Sequence, residues 1–337
     1  MATIKDIARI AGVSVTTVSK VLNDYPDISK QTKKMVKQVI ARENYRPNAI
    51  ARSLSSHKSH SIGIFFTDHR NSGLRHPFFR DIIYGIEKTL FQERYDLILF
   101  AHHWGDTFSY AEKCQSRQVD GVVLMGTPGN DPHLERLINS ELPTVFIDLE
   151  LSGKNTCYVI SDNVAGAGQA VSYLVELGHE QIGMIMGQKI VKPAQDRLSG
   201  FKQRIKELHL PYQNEWIVEA DFSENGGYHA MNRILNLSGP YPTAIFCQGD
   251  QIAIGAMRAI EERGLAIPGD FSIIGFDDIE ISSYVKPALT TIHQDKILMG
   301  EKAAQLLLKI INTGEQNYTP VVLPTKLKIR DSCRRLS

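Results

Sequence analysis

Polar side chains near the start of the sequence have a spacing that is suited to reading DNA. Thr16 and Lys20 are four residues apart, and Thr17 lies beside Thr16. On a helix this spacing brings the three side chains towards one face. Hydroxyl groups and one ammonium group can hydrogen bond to base edges in the major groove. The pattern predicts DNA recognition, although a small helical hairpin at the start of an ordinary domain would have the same spacing.

A second group of side chains is suited to binding hydroxyl groups. Asp162, Asp250 and Asp277 each come after a strand-like run, and Arg197 lies near the start of a helix-like run. In open α/β sheets, ligands bind beyond the carboxyl ends of the strands. Carboxylates and guanidinium groups make paired hydrogen bonds to vicinal hydroxyls. These residues therefore predict a sugar site, although Asp250 is equally compatible with capping a helix.

The first group requires a helix-turn-helix. Two short helices are predicted within residues 3–23, with Gly12 ending the first and Ser14 capping the second. A third helix is predicted over residues 29–44, and Pro47 cannot continue it. A very short helix over residues 49–54 then precedes a polar linker. A helix of about two turns is marginal in water by itself, so this one would need a partner surface.

The second group requires alternating strands and helices. Two successive βαβ series predict two parallel-sheet subdomains with a cleft between them. The strand-like runs are SIGIFF (61–66), DLILFA (96–101), GVVLM (121–125) and PTVFI (143–147) in the first series, and CYVI (157–160), QIGMIM (181–186), TAIFC (243–247) and FSIIGF (271–276) in the second. The predicted fold class is α/β, with an all-α helix-turn-helix domain ahead of it.

Charge is distributed unevenly along the 337 residues. Residues 1–60 hold 11 lysines and arginines against 4 aspartates and glutamates, a net charge of +7. The remaining residues hold 27 against 33, a net charge of −6. A basic module joined to an acidic body is typical of a polyanion-binding domain attached to a domain that does not touch the polyanion.

Other sequence features exclude several classes of protein. The four cysteines are far apart and form no metal-type pairs, which indicates a reduced cytoplasmic protein. We find neither a secretion signal nor an apolar run long enough to span a membrane. The GxxxxGK, HExxH and GxSxG motifs are missing, so an enzyme is not expected. Neither a cofactor nor a metal is expected.

The opening ATIKDIARIAGVSVTTVSKVLN, together with YRPNAIARSL, closely resembles the LacI/GalR family of bacterial transcription repressors. The resemblance continues in family order through HPFF, VDGVVLMG, ISDN, QDRLSGF, PTAIFCQGDQIAIGAM, IIGFDD and LTTIHQ. It implies a homodimer that binds a pseudo-palindromic operator and a core like that of periplasmic sugar-binding proteins. The implied segments are 1–47 for the DNA-binding domain, 48–60 for the hinge helix and linker, 61–162 with 293–320 for one core subdomain, and 163–292 with 321–337 for the other.

The resemblance also assigns residues to operator contacts. Val15, Thr16 and Lys20 would read bases, while Ser14, Thr17 and Asn23 would hold phosphates. The complete implied DNA-binding set is Ser14, Val15, Thr16, Thr17, Lys20, Asn23, Tyr45, Asn48, Ala51, Arg52 and Leu54. Leu54 matches an apolar lever that enters the minor groove, where unstacking a base step costs a few kcal/mol and allows a bent duplex to contact more protein. In the family the hinge helix pairs with that of a second subunit, and ligand closure of the cleft changes this pairing.

For the effector, the resemblance implies Phe78, Phe79, Asp162, Arg197, Phe222, Asp250 and Asp277. Phe79 is equally compatible with a place in the core. Val191 and Pro193 stand where purine-responsive members have polar groups, and His76 replaces a commoner asparagine. Arg197 with Asp277 therefore favours a sugar or sugar derivative over a nucleobase. The alternative function is a cytosolic sugar-binding or sugar-modifying protein without regulatory DNA binding.

Overall fold

The computed structural model describes residues 2–22, 24–45, 58–66, 73–101, 109–315 and 318–336. These residues form two compact units, Met1–His60 and Ser61–Ser337. Each unit has its own hydrophobic core. All four cysteines are free, as the sequence predicted.

Unit 1 is a small helical bundle of α1 (Ile4–Ala11), α2 (Val15–Leu22) and α3 (Lys30–Arg42). The helix ends follow from local chemistry. Thr3 and Asp6 form a capping box at the start of α1, and Gly12 ends it with a left-handed φ of 65°. The hydroxyl of Ser14 accepts a hydrogen bond from the Thr17 N–H at 3.0 Å, as the capping prediction requires. Apolar side chains from all three helices then bury one another.

Unit 2 contains two six-stranded sheets. Pairing is parallel throughout except between β10 and β12. The first sheet has the order β11-β5-β4-β3-β1-β2, and its strands are β1 (Ser61–Phe66), β2 (Asp96–Phe100), β3 (Gly121–Met125), β4 (Thr144–Ile147), β5 (Thr156–Ser161) and β11 (Val321–Leu323). The second has the order β12-β10-β9-β8-β6-β7, and its strands are β6 (Ile182–Met186), β7 (Ile217–Glu219), β8 (Ala244–Cys247), β9 (Ser272–Asp277), β10 (Thr290–His293) and β12 (Lys326–Lys328). The mixed α/β class and the two parallel-rich sheets confirm the predicted fold class.

Helices cover both faces of these sheets, and apolar clusters fill the space between the layers. The α-helices of unit 2 are α4 (Pro77–Gln92), α5 (Tyr110–Arg117), α6 (Leu134–Ile138), α7 (Asn163–Glu176), α8 (Lys192–Glu207), α9 (Glu224–Leu235), α10 (Asp250–Glu262) and α11 (Lys296–Thr313). Short 3₁₀ helices occupy Gly73–Arg75, Asn214–Trp216 and Glu280–Ser283.

Two strand assignments made from the sequence are wrong. Periodicity placed the run CYVI in the second series, whereas the segment 61–162 implied by the resemblance placed it in the first subdomain. The strand β5 pairs with β4 in the first sheet, which agrees with the segment and not with the series. Residues 321–323 were assigned to the second core subdomain, but β11 pairs with β5, also in the first sheet. Periodicity identifies a strand without identifying its neighbours, and β5 and β11 both lie next to points where the chain crosses between sheets.

Helices α4 and α11 pack unusually closely in the first subdomain. A Cβ added at Gly85 would lie 2.2 Å from the Ile297 carbonyl oxygen, and one added at Gly300 would lie 2.1 Å from the Ile82 carbonyl oxygen. Both contacts are to backbone, which cannot rotate away as a side chain can. Glycine is therefore required on both helices.

We expect Gly300→Ala to destabilise the protein by about 1–3 kcal/mol, because the added methyl group would force the two helices apart. The matched control is Gly168→Ala within α7, where an added Cβ meets nothing within 4 Å. That change should stabilise the protein by up to about 1 kcal/mol through helix propensity. Thermal unfolding midpoints of both variants test the contrast; equal shifts would contradict it.

Candidate functional site

The exposed face of α2 carries the side chains predicted to read DNA. Val15 is 41% exposed, Thr16 is exposed, and Thr17 and Lys20 are half-buried. The hydroxyl groups of Ser14 and Thr17 are hydrogen bonded to each other at 2.9 Å. The spacing predicted that Thr16, Thr17 and Lys20 would lie on one helix, and they lie on α2, with Ser14 and Val15 at its start.

The acidic residues of unit 1 are all paired with basic ones. The pairs are Asp6 with Arg9 at 3.1 Å, Asp24 with Lys33 at 2.8 Å, Asp27 with Lys20, and Glu43 with Arg42 at 3.0 Å. Since the sequence gives this region 11 basic residues, the pairing leaves the unit strongly positive. Such a surface attracts the phosphate backbone of nucleic acid.

Several predicted DNA contacts lie outside the described residues. They are Asn23, Asn48, Ala51, Arg52 and Leu54, so the hinge prediction rests on the sequence. Tyr45 is described: its side chain is partly buried against the helical core, and its N–H donates to the Ile40 carbonyl at 3.0 Å.

Unit 2 contains a pocket of about 300 Å³ at the carboxyl ends of strands from both sheets. The first subdomain contributes the start of α4 and the residues that follow β3 and β4. The second contributes the start of α8, the residues that follow β6 and β7, and the last residue of β9. The lining residues are His76, Phe78, Phe79, Gly126, Thr127, Asp148, Gln188, Val191, Pro193, Arg197, Asp221, Phe222 and Asp277. Five of the seven predicted effector residues are among them.

Arg197 is held in the pocket by groups from three directions. It is only 3% exposed, and its guanidinium lies 3.7 Å from the centroid of the Phe276 ring. Its Nε donates to Asn163 Oδ1 at 2.8 Å and its Nη1 donates to the Gln248 carbonyl at 2.5 Å. Its Nη2 lies 3.7 Å from Asp277 Oδ1. These contacts fix the cation before any ligand binds.

Burial changes the acid–base behaviour of the charged groups in the pocket. Burial raises the pKa of Asp277, while the charges of Arg197 and Lys296 oppose that rise. Burial also lowers the pKa of Arg197. For Asp148, burial outweighs the charge of Arg197 and raises the pKa to about 7. Asp148 Oδ1 is buried without a hydrogen-bond partner among the described residues. A ligand that brings hydroxyl donors would supply that partner.

The aromatic walls come from both subdomains. The ring centroids of Phe78 and Phe79 are 5.1 Å apart in an edge-on arrangement. On the opposite side, a Cβ added at Gly187 would lie 2.1 Å from Phe222 Cζ, so glycine is needed for the Phe222 ring to reach its place. Aromatic faces of this kind pack against the C–H surface of a sugar.

Two predicted effector residues do not line this pocket. Asp162 caps α7 by accepting a hydrogen bond from the Ala165 N–H at 2.9 Å. Asp250 is fully buried, and its carboxylate accepts hydrogen bonds from the Ile279 N–H at 2.8 Å, the Ser282 hydroxyl at 2.6 Å and Thr291. Burial and the charge of Asp277 raise the pKa of Asp250 to about 7. Both carboxylates make hydrogen bonds within the scaffold, and the pocket lining does not support their assignment to the effector.

Eight pocket residues were not in the predicted effector set. The sequence analysis discussed His76, Val191 and Pro193 only as departures from the family pattern, and it did not discuss Gly126, Thr127, Asp148, Gln188 and Asp221. The signal for Asp148 was available, because it directly follows the strand-like run PTVFI. Asp148 follows its run just as Asp277 follows FSIIGF, so the same rule about carboxyl ends of strands predicts a ligand contact at both. Asp221 follows β7, a three-residue strand that the sequence analysis did not predict.

The sequence matches two family models. Residues 3–48 match the model described as bacterial regulatory proteins, lacI family, and residues 171–333 match the periplasmic binding protein-like domain. The chain is 36% identical over 338 residues to the probable HTH-type transcriptional repressor ExuR of Bacillus subtilis (strain 168), and 37% identical over 346 residues to the HTH-type transcriptional repressor PurR of Actinobacillus pleuropneumoniae serotype 3. Each alignment covers 100% of both chains.

Solved structures show the same likeness. The lac repressor dimer bound to operator and the anti-inducer ONPF is 29% identical, with a TM-score of 0.84 over 99% of both chains. A LacI family transcriptional regulator from Enterococcus faecium with bound ribose is also 29% identical, with a TM-score of 0.71 over 82% of this chain and 100% of the other. The protein described here belongs to the lacI family of bacterial regulatory proteins.

Within the described residues, no helix is both long and apolar enough to cross a bilayer. The same residues contain no group of histidine, cysteine, aspartate or glutamate side chains arranged to hold a metal ion.

We expect Asp148→Asn to stabilise the protein at about pH 8, and the gain to shrink as the pH falls to about 4.5. The pKa of this carboxyl group is raised from 3.8 to about 7 in the folded protein. Above pH 7 the carboxyl group is ionised in both the folded and the unfolded state, and the buried charge lowers the free energy of unfolding. Below pH 7 the folded protein binds a proton before the unfolded chain does, so this destabilisation shrinks. At pH 8 the gain should be at least about 1 kcal/mol. Asparagine also tolerates the backbone of this residue, whose φ is 60°.

The matched control for this variant is Asp162→Asn, because asparagine caps a helix as well as aspartate does. Its unfolding free energy should equal that of the wild-type protein at both pH values. Urea unfolding at the two pH values measures both variants. A gain for Asp148→Asn that does not vary with pH would show that the carboxylate is not strained by burial.

Proposed function

We propose that this protein is a transcriptional repressor that binds a pseudo-palindromic operator through unit 1 and is controlled by a sugar bound in the pocket of unit 2. The observation that supports the proposal best is the pocket itself. It combines a pre-positioned guanidinium, three carboxylates and three aromatic rings at strand ends. The assigned role of the pocket is binding rather than turnover, and the protein acts in the cytoplasm.

The DNA-binding half of the proposal rests on unit 1. Its helix α2 presents Val15, Thr16 and Lys20 on an exposed face, and its positive charge suits a phosphate backbone. The starts of helices α2 and α3 are each fixed by a serine cap, Ser14 and Ser29. Val15, Thr16 and Lys20 are assigned to bases, and Ser14 and Thr17 to phosphates.

The charges in the pocket favour a neutral sugar. Arg197 is opposed by Asp148, Asp221 and Asp277, so the lining residues carry more negative than positive charge when these groups are ionised. An anionic ligand such as a sugar phosphate would meet repulsion there. Ligand hydroxyls, by contrast, donate to carboxylates and pack their C–H face on Phe78, Phe79 or Phe222. Val191 and Pro193 offer no polar side chain for a purine.

Control requires the sugar to bind two states of the protein with different affinities. We propose that these states differ in closure of the pocket and in the pairing of residues 48–60 between two subunits. Moving the ratio of these two states from 1:99 to 99:1 would require the sugar to bind the favoured state about 10⁴-fold more tightly than the other. In this proposal the chain keeps the four parts implied by the resemblance. The first core subdomain extends from residue 320 to the end of β11, because β11 pairs with β5.

The first experiment uses the full-length protein in a thermal-shift screen against neutral sugars, their phosphates and hypoxanthine. A neutral sugar should raise the unfolding midpoint, since a ligand at about 100 times its Kd adds about 2.7 kcal/mol of stability. The same sugar should change affinity for a duplex selected from a randomised library. Sugar binding without sequence-selective, salt-sensitive DNA binding would support the alternative of a sugar-binding protein with no regulatory role.

Asp277→Ala should abolish the thermal shift and the sugar response of DNA binding, because Asp277 lines the pocket beside Arg197. Duplex affinity without sugar should stay within about twofold of wild type, because the DNA-contacting face lies in unit 1. Asp162→Asn, which changes a carboxylate outside the pocket, should retain the full response. If Asp277→Ala responds to sugar as wild type does, the pocket assignment is wrong.

We expect the free protein to be a homodimer. The lac repressor, whose structure this chain resembles, is a dimer on its operator. Analytical ultracentrifugation at micromolar concentration should give twice the chain mass of 37.7 kDa. A stable tetramer or monomer would refute this expectation.

A further inference from the structure

Lys20, which is assigned to base reading, is already held by an acidic side chain of its own unit. Its ammonium group pairs with Asp27 Oδ2, and the two side chains are 39% and 52% exposed. The contact joins the reading helix α2 to the loop that leads into α3. No motif in the sequence had indicated a role for Asp27.

The loop that carries Asp27 is anchored at both ends. At one end the Tyr25 N–H donates to the Lys20 carbonyl at 3.0 Å. At the other, Ile28 packs against the helical core and the hydroxyl of Ser29 caps α3. The Asp27 carboxylate is therefore presented from a fixed backbone, and it can hold Lys20 in one position.

Folding stability and affinity do not account for this carboxylate. Exposed ion pairs contribute little to stability. A negative charge beside the reading face of a DNA-binding unit also weakens attraction to phosphates at every sequence. A carboxylate in this position is understandable if it improves discrimination between sequences.

We propose that Asp27 is a positioning residue that restricts Lys20 to one base pair of each operator half-site. This inference rests on the proposed function and extends it. A lysine ammonium group has three N–H donors, so bonding to Asp27 leaves two for the O6 and N7 acceptors of a guanine. Without Asp27, the flexible lysine side chain can also reach neighbouring bases or phosphates. Asp27 thereby converts a mobile positive charge into a sequence-reading group.

The test selects bound duplexes from a randomised library with the full-length wild-type protein, Asp27→Asn and Asp24→Asn. Asp24→Asn is the matched control, because it neutralises one carboxylate of the same unit whose partner, Lys33, lies on α3. Both changes remove one negative charge, so both variants should bind all duplexes more tightly. Only Asp27→Asn should lose preference, by about fivefold, and only at one base pair of each half-site.

A second pair of variants tests whether Asp27 acts through Lys20. In a Lys20→Met background the preference at that base pair should already be lost, and adding Asp27→Asn should change the sequence profile no further. A further change in that background would mean that Asp27 itself contacts a base, which overturns the positioning role. Identical profiles for Asp27→Asn and Asp24→Asn would also overturn it.

Failure of this inference can be told apart from failure of the proposed function. If the wild-type protein enriches no sequence, the repressor proposal fails and the role of Asp27 fails with it. If the wild-type protein enriches a defined half-site and Asp27→Asn keeps the same preferences, only the inference is wrong. Matching thermal midpoints for the two variants would exclude unfolding as the cause of any difference.

Discussion

The pocket of this protein depends on one buried cation, the guanidinium of Arg197. A buried charge is costly unless it is hydrogen bonded and paired, and here Asn163, the Gln248 carbonyl and Asp277 meet that requirement from different elements. The arrangement fixes the start of α8 against α7 and the ends of β8 and β9. The scaffold that holds the cation is therefore also the scaffold that shapes the pocket.

The pocket also has a direct physical link between its two walls. Lys296, only 7% exposed, donates to the carbonyls of Asp277 at 2.6 Å and Asp278 at 2.9 Å, so the first turn of α11 is tied to the end of β9. Helix α11 in turn packs through Gly300 on α4, whose first turn carries Phe78 and Phe79. A ligand that contacts Asp277 and the two aromatic rings therefore contacts both ends of this connection. Such a connection suits a protein with two discrete states.

The sequence predicted local features better than spatial relationships. The cap at Ser14 and the strand runs were readable because hydrogen-bonding chemistry and periodicity are local. Periodicity alone placed β5 in the wrong series, and the placement of β11 in the first sheet was not predicted, because strand order depends on contacts between distant segments. Asp250 resembled a ligand residue by position after a strand, yet Ser282 and Thr291, far along the chain, occupy its carboxylate.

Control of the operator by a sugar requires the two binding events to be coupled in one molecule, and a thermodynamic cycle measures that coupling. Isothermal titration would measure the sugar affinity of the full-length protein with and without its selected duplex, and the duplex affinity with and without saturating sugar. Coupling predicts the same ratio from both measurements, typically about 5–150-fold. A ratio of one in both, with tight binding of each ligand, would mean that the two sites work independently and that the sugar does not control DNA binding.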